Sequence, residues 1–246
     1  MTTTILNYGG GRQTMAMLCL IAKGVLPKPD RIIIADTGRE KSSTWDYREE
    51  IAEPLAQSFD MSIEIAPRSL AYVDLYGHNG DLLLPVYTKT GKMTAFCSTE
   101  WKARVVRRFL AAQGVRNVIN WIGFALDERK RVKGTEGRAF PLLDLGLTKR
   151  DCIQIIKDAG YPLPPPSSCW MCPNMPNEEW RYIRDNYPAD FERACALDEE
   201  IREHDIFNGG GGVWLHHSRQ PLATADLDIE DRAEPQRQCG LGMCFI

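Results

Sequence analysis

An apolar run passes into a glycine-rich turn and then into a helix in the segment Thr4-Ile5-Leu6-Asn7-Tyr8-Gly9-Gly10-Gly11-Arg12-Gln13-Thr14. The run has the length and composition of a buried strand, and apolar residues recur at helical spacing from Gln13 until Gly24 ends the helix. Such a turn presents backbone N–H groups and a helix N-terminus to an anion. The segment therefore predicts a strand, a turn and a helix, with a phosphate or sulfate site at the turn.

The alternation of strand and helix continues along the chain. Residues 31–35 predict a second strand that ends in Asp36-Thr37-Gly38, and a helix over 43–59 precedes a third strand at 62–66. A basic helix through Ala112 and a strand at 117–123 repeat the pattern. This order predicts an α/β fold with a doubly wound, mainly parallel sheet and flanking helices. Its ligand crevice is expected beyond the carboxyl ends of the strands.

The pattern changes after a helix that ends near Gly160. Residues 162–166 contain four prolines and predict a stiff polyproline segment, which is the best domain boundary. We expect a nucleotide-binding α/β domain over 1–161 and a Cys-containing helical C-terminal extension and tail over 162–246. The extension carries two predicted helices, around 177–187 and 189–204, and residues 77–96 are predicted to be an irregular insertion.

Composition restricts the class of protein. The 246 residues are 43% hydrophobic, which is enough for a substantial core, and the net charge of −3 argues against indiscriminate duplex binding. No stretch predicts a membrane span or a signal peptide, so we expect a cytoplasmic protein. The eight cysteines are more than packing requires, and in a reducing compartment they would not form a disulfide framework.

Several motifs in order resemble the phosphoadenosine phosphosulfate (PAPS) reductase family, within the adenine nucleotide alpha-hydrolase-like (PP-loop) superfamily. These motifs are the glycine turn, Asp36-Thr37-Gly38, Cys97 followed by Lys102, the turn at 123–129, and Cys169-Trp170-Met171-Cys172-Pro173. The resemblance covers roughly residues 4–185. It implies an adenine nucleotide, PAPS or ATP, bound by Tyr8, Gly9, Gly10, Gly11, Arg12, Gln13, Thr14, Asp36, Thr37, Gly38, Gly123 and Asp127.

The glycine turn departs from its family counterpart at Gln13. Related pyrophosphatases usually carry Ser-Gly-Gly-x-Asp-Ser, and Gln13 stands where that aspartate is found. The loss of the acid argues against cleavage of ATP pyrophosphate. For a phosphosulfate, the loop amides with Arg12 and Thr14 suffice.

The cysteines imply a metal centre. By the resemblance, Cys97, Cys169 and Cys172 would hold a 4Fe–4S cluster with one iron left open, unless Cys239 or Cys244 completes it. Zinc is the alternative, with Cys169, Cys172, Cys239 and Cys244 as a tetrahedral set. Spacing does not choose between the two metals.

The tail resembles a family segment that carries a nucleophilic cysteine. Here it is Gln238-Cys239-Gly240-Leu241-Gly242, which lacks the acid and the histidine of that segment. Cys239 could attack the sulfonate sulfur, bind a metal, or be an unreactive thiol. Lys102 and Arg129 lie in family motifs and are the other expected catalytic residues.

The resemblance implies an enzyme that performs sulfur or redox chemistry on a bound sulfonucleotide. The alternatives are an ATP-dependent sulfur transferase or nucleotide-modifying enzyme, and a non-catalytic nucleotide-binding accessory protein with structural zinc. Expected partners are a small-molecule nucleotide and a thiol electron donor or a sulfur donor protein, without a membrane. Nucleic acid is a possible substrate that the net charge does not indicate.

Overall fold

A computed structural model describes residues 2–94, 96–203 and 212–231. The strands of these residues are β1 (Thr3–Asn7), β2 (Arg31–Ala35), β3 (Ile63–Ala66), β4 (Tyr87–Thr88), β5 (Gly91–Lys92), β6 (Val118–Trp121), β7 (Arg138–Ala139) and β8 (Val213–Trp214). The helices are α1 (Arg12–Ala22), α2 (Ser42–Tyr47), α3 (Glu53–Gln57), α4 (Arg104–Ala112), α5 (Pro141–Asp144), α6 (Lys149–Asp158), α7 (Asn177–Asn186) and α8 (Pro188–Glu203). A π-helical turn, Arg48–Ala52, joins α2 to α3, and another, Thr99–Ala103, leads into α4.

The main sheet has five parallel strands in the order β3-β2-β1-β6-β7. This confirms the predicted α/β class with a mainly parallel sheet and flanking helices. The strand order reverses direction between β1 and β6, because the chain leaves β1 towards β2 on one side and β6 lies on the other. Ligands of open parallel sheets bind at such a point, outside the carboxyl ends of the strands.

Helices cover both faces of the sheet, since successive strand residues point to opposite sides. On one face, Leu6 and Ile32 lie in a core shared with α1, the α2–α3 helix and α6. On the other face, Ile5 and Ile33 pack with Val105, Val106 and Leu110 of α4. At the carboxyl end of β1, the side chain of Tyr8 therefore lies on the α1 face of the sheet and that of Asn7 on the α4 face.

A second core joins the insertion at 77–96 to the C-terminal part of the chain. Leu84 and Trp101 pack in one cluster with Met171, Trp180 and Ile183. The insertion also contains the β4–β5 hairpin, which pairs with β8 in a three-stranded sheet. These strands have two residues each, too short to produce an alternating pattern in the sequence.

The C-terminal helices α7 and α8 agree with the helices predicted around 177–187 and 189–204. Helix α7 packs on α8, and both contribute to the second core. No helix in the described part of the chain is long and apolar enough to cross a membrane.

Candidate functional site

The glycine loop, Gly9–Gly11, joins the end of β1 to the start of α1 at the reversal point of the sheet. Gly10 has φ +70°, a conformation that favours glycine. Gly11 is the N-cap residue of α1, and because it has no side chain it provides no cap for the N–H groups of the first turn. Thr14 instead donates its hydroxyl to the Gly11 carbonyl at 3.1 Å. No side-chain cap therefore occupies the first-turn N–H groups, and the anion site expected at this turn stays a prediction.

Two other segments crowd the glycine loop. A Cβ atom at Gly11 would lie 2.5 Å from Ser167 Oγ, and one at Gly10 would lie 2.5 Å from Thr44 Cγ2. Gly123 approaches from β6, where an added Cβ would meet Thr14 Cγ2 at 3.1 Å and Gln13 Cβ at 3.3 Å. The structure thus brings Gly123 next to the loop, and it adds Ser167, which the sequence did not indicate.

A carboxylate lies beside Gln13, although the loop itself contains no acidic residue. Gln13 Nε2 donates to Glu128 Oε2 at 2.8 Å, and Glu128 is 6% exposed. Glu128 also pairs with Arg131 at 2.5 Å and Lys149 at 3.4 Å. Burial opposes the charged form, yet these two cations and Gln13 hold the pKa of Glu128 below its usual range. Tertiary structure therefore places a charged acid beside a loop that has none in its own sequence.

The Asp36-Thr37-Gly38 motif forms a tight turn after β2. Asp36 Oδ1 accepts from the Gly38 N–H at 2.7 Å, and Gly38 has φ +66°. Thr37 is buried, and its hydroxyl donates to Glu40 Oε1 at 3.3 Å. The turn therefore leads from the end of β2 into the segment that contains Glu40.

The remaining predicted nucleotide and catalytic residues differ in exposure. Tyr8 is 1% exposed in the core that it shares with α1, whereas Arg12 and Arg129 are exposed. Asp127 is exposed and accepts from the Lys149 N–H at 3.2 Å, at the start of α6. The described contacts of Asp127 thus place it at a helix end, whereas Arg12 and Arg129 extend from the protein.

Three cysteines line one cavity, here called the cysteine cavity. Cys97 comes from the segment before α4, and Cys169 and Cys172 come from the segment before α7. The other lining residues used below are Lys102, Ser167, Ser168 and Glu179. Every cysteine within the described ranges is a free thiol. The fold thus brings together residues 72 or more positions apart in the chain.

Two buried ion pairs flank the thiols. Lys102 Nζ lies 2.8 Å from Glu40 Oε1, and Lys41 Nζ lies 3.1 Å from Glu179 Oε2. Although burial of Lys102 favours its neutral form, Glu40 and the cysteines raise its pKa, so it remains an ammonium. Lys102 therefore provides a fixed positive charge at the wall of the cysteine cavity.

Burial dominates the titration of the three thiols. It raises the pKa of Cys97 to about 12 and raises the pKa values of Cys169 and Cys172 as well. Glu40 raises the pKa of Cys169 further, while Lys102 acts in the opposite direction on Cys97 and Cys169. Without a further cation the thiols stay protonated at neutral pH, because a buried thiolate is poorly solvated.

Backbone and side-chain contacts fix the Cys169–Cys172 turn against the end of β2. Glu40 and Cys169 form an isolated antiparallel β-bridge through their backbones, and the Trp170 N–H donates to the Arg39 carbonyl at 2.9 Å. Upstream, Lys41 Nζ donates to the Pro166 carbonyl at 3.3 Å. The segment that follows the Asp36-Thr37-Gly38 motif and the predicted metal motif therefore pack together.

The described residues alone do not form a complete metal-binding group. Within 2–94, 96–203 and 212–231, no three His, Cys, Asp or Glu side chains are close enough to be grouped around a metal ion. Cys239 and Cys244 lie outside the described residues. The donor type still fits iron or zinc, because both metals favour thiolates.

Comparison with protein-family models and with curated proteins finds no match. Four further residues at the site are not indicated by the sequence analysis: Glu40, Lys41, Ser167 and Glu179. Glu40 and Lys41 lie two and three residues after the Asp36-Thr37-Gly38 motif, a position that could have drawn attention to them, whereas nothing in the sequence marks Ser167 or Glu179.

Proposed function

We propose that this chain is a PAPS-reductase-like enzyme that binds an adenine sulfonucleotide at the glycine loop. Its cysteine cavity supplies thiolates, or thiolates bound to a metal centre, for sulfur and redox chemistry. One observation carries the proposal: Ser167 touches the glycine loop and, with Cys169, lines the cavity that holds the three cysteines. An anion at the loop would thus lie near the thiols.

The residues around the loop suit an anionic ligand in stated ways. The first-turn amides and Thr14 lie at the N-terminus of α1, and Arg12 is exposed beside them. These groups can donate hydrogen bonds to phosphate or sulfate oxygens without a metal. The nucleoside part would extend towards Asp36-Thr37-Gly38 at the end of β2, because the two loops lie at the same edge of the sheet.

In this proposal Cys97, Cys169 and Cys172 hold a 4Fe–4S cluster, with zinc as the competing metal. A cluster would supply electron transfer or a site for sulfur, depending on what occupies its open iron. The protein's own contribution is two buried lysines near the thiols, Lys102 and Lys41, which favour the thiolates. Their ion-pair partners Glu40 and Glu179 oppose the thiolates, so a bound metal would have to supply the remaining positive charge.

Glu128 favours a second candidate, an ATP-dependent sulfur transferase. Such an enzyme needs an acid near the triphosphate, and the carboxylate of Glu128 lies 2.8 Å from Gln13 Nε2. Because Arg131 and Lys149 already neutralise Glu128, PAPS reductase-like chemistry remains the first candidate.

Anaerobic purification followed by iron, sulfide and zinc analysis tests the metal centre. We expect iron and sulfide in the full-length protein and loss of both in Cys97→Ser, Cys169→Ser and Cys172→Ser. Cys195→Ser is the matched control, because Cys195 is a half-buried thiol on α8 outside the cysteine cavity. A colourless, zinc-loaded protein would contradict the redox proposal.

Ligand-induced thermal shifts separate the nucleotide classes. A ligand at 100 times its Kd stabilises a protein by about 2.7 kcal/mol. We expect PAPS and adenosine 3′,5′-bisphosphate to shift the melting temperature more than AMP does. A larger shift with ATP would support the sulfur transferase instead, and the absence of any shift would overturn the nucleotide site.

A further inference from the structure

A second concave site lies along α4 and shares no lining residue with the cysteine cavity. This arginine groove has a volume of about 750 Å³, which falls within the range of ligand sites. Its floor is apolar and includes Val106, Leu110 and Ile122. Its cationic residues are Arg104, Arg107, Arg116 and Arg138.

The groove exists because α4 does not cover the whole sheet. The buried side chains of α4 pack with residues of β1, β2 and β3. On the same face, Val118 and Asn120 of β6 and Arg138 of β7 are only half-buried. One bank is therefore formed by α4 and the segment after it, and the other bank by the exposed side of β6 and β7.

Positive charge is concentrated around this groove. Among the described residues, four arginines and no aspartate or glutamate line it, although the whole chain carries a net charge of −3. Glu100 pairs with Arg104, which still leaves the lining with an excess of positive charge. Such an excess is the electrostatic pattern of a surface that binds a polyanion.

The cations follow the length of the groove. Arg104 and Arg107 are separated by about 4.5 Å of helix rise, and Arg116 lies beyond the end of α4. Across the groove, Arg138 Nη1 donates to the Lys133 carbonyl at 2.8 Å, so the exposed Lys133 continues the positive surface. A row of charges on two banks matches successive phosphates of a strand better than it matches one isolated phosphate.

A buried acceptor lies at one end of the groove. Asn7 is 2% exposed and donates Nδ2 to Asn120 Oδ1 at 3.1 Å. Asn7 Oδ1 is itself buried and has no hydrogen-bond donor among the described residues. Because an unsatisfied buried acceptor costs free energy, a ligand with an N–H or O–H group would be favoured there.

We propose that the arginine groove binds a phosphodiester strand of nucleic acid. The arginines contact successive phosphates, the apolar floor packs against sugars and bases, and Asn7 accepts a hydrogen bond from a base amine. This inference goes beyond the proposed function, because it uses none of the cysteines and does not depend on a nucleotide at the glycine loop.

Fluorescence anisotropy with labelled 12-nucleotide single strands of DNA and RNA tests the proposal. We expect the Arg107→Ala/Arg116→Ala variant to bind about tenfold more weakly than wild type. The slope of log K against log salt concentration should fall by about 1.4, since each phosphate contact on a single strand contributes about 0.7. Both residues are exposed, so the melting temperature should not change.

Arg150→Ala is the matched control, because Arg150 is an exposed arginine on α6, which packs on the other face of the sheet. It should bind both oligonucleotides as wild type does. Equal affinity in the double variant and wild type would overturn the proposal. Displacement of the oligonucleotide by AMP or polyglutamate as efficiently as by unlabelled strand would also overturn it, in favour of a small anion or an acidic polypeptide.

Discussion

The cysteine cavity and the arginine groove use the same helical segment in opposite ways. Lys102, at the beginning of that segment, is 9% exposed and paired with Glu40, whereas Arg107, further along, is exposed at the groove. A buried cation holds a fixed position and alters the titration of its neighbours. An exposed cation interacts over a longer range and is screened by salt. Burial, more than residue type, therefore decides which site tunes thiols and which attracts a polyanion.

Removal of a buried cation should have the largest effect on stability. Lys41→Met would leave Glu179 without its ammonium partner, and both side chains are buried. Breaking a buried pair in this way costs about 3–5 kcal/mol. Urea denaturation would measure the loss.

The Lys41→Met/Glu179→Gln double variant is the control, since it removes both charges. It should be more stable than Lys41→Met alone. If the single variant lost less than about 1 kcal/mol, the cavity wall would behave like the exposed groove and the contrast between the two regions would fail.

Acid should next weaken the packing around the start of α7. His216 is buried, with Nε2 2.7 Å from Asn177 Oδ1 at the start of α7. Burial and the neighbouring His217 lower the pKa of His216 to about 4 from 6.5, against the opposing effect of Asp231. Between these pH values the unfolded chain binds a proton that the folded protein does not. The stability that depends on neutral His216 is therefore complete above pH 6.5 and is lost as the pH falls towards 4.

The expected loss from this group is about 2 kcal/mol between pH 7.5 and pH 5. Urea denaturation at the two pH values would measure it, and His216→Gln should show a correspondingly smaller difference. If both proteins lost the same stability, another group would be responsible.

A smaller effect should reveal the contact between the glycine loop and the cavity. Gly11→Ala would place a Cβ 2.5 Å from Ser167 Oγ. Because a hydroxyl at the end of a side chain can move, we expect a loss of only about 1 kcal/mol. Thermal unfolding would measure it.

Gly11→Ala should cost less stability in a Ser167→Gly background than in the wild-type protein, because the clashing hydroxyl is absent there. Gly77→Ala is the comparison outside the loop, since its nearest contact would be an ordinary 3.6 Å to the Asp81 carbonyl. An unchanged melting temperature in Gly11→Ala would show that the segment at Ser167 adjusts without cost.

Much of the sheet could be predicted, because buried strands and amphipathic helices leave periodic patterns. Strands β1, β2 and β3 and helix α1 lie where apolar runs and glycine stops indicate. Strand β7 was missed because its two residues, Arg138 and Ala139, show no apolar pattern. It joins the sheet only because β6 offers it a parallel edge.

The candidate site likewise contains some features that the sequence indicates and others that only the fold creates. The motifs that contain Gly10, Cys169 and Cys172 are local and could be recognised by spacing. The contact of Glu128 with Gln13 joins residues 115 positions apart, so no local pattern could indicate it. The same is true of Ser167 at the loop and of Glu179 beside Lys41, 138 positions away.

By itself, the amino-acid sequence determined the α/β class and the glycine turn, because strand and helix periodicity and turn chemistry act over a few residues. Only the tertiary structure decided that three distant cysteines share one cavity, that Glu128 lies at a loop without an acid, and that arginines line an uncovered part of the sheet. These features depend on strand order and on which side of α4 is buried. Such properties arise from packing between distant segments rather than from any local pattern.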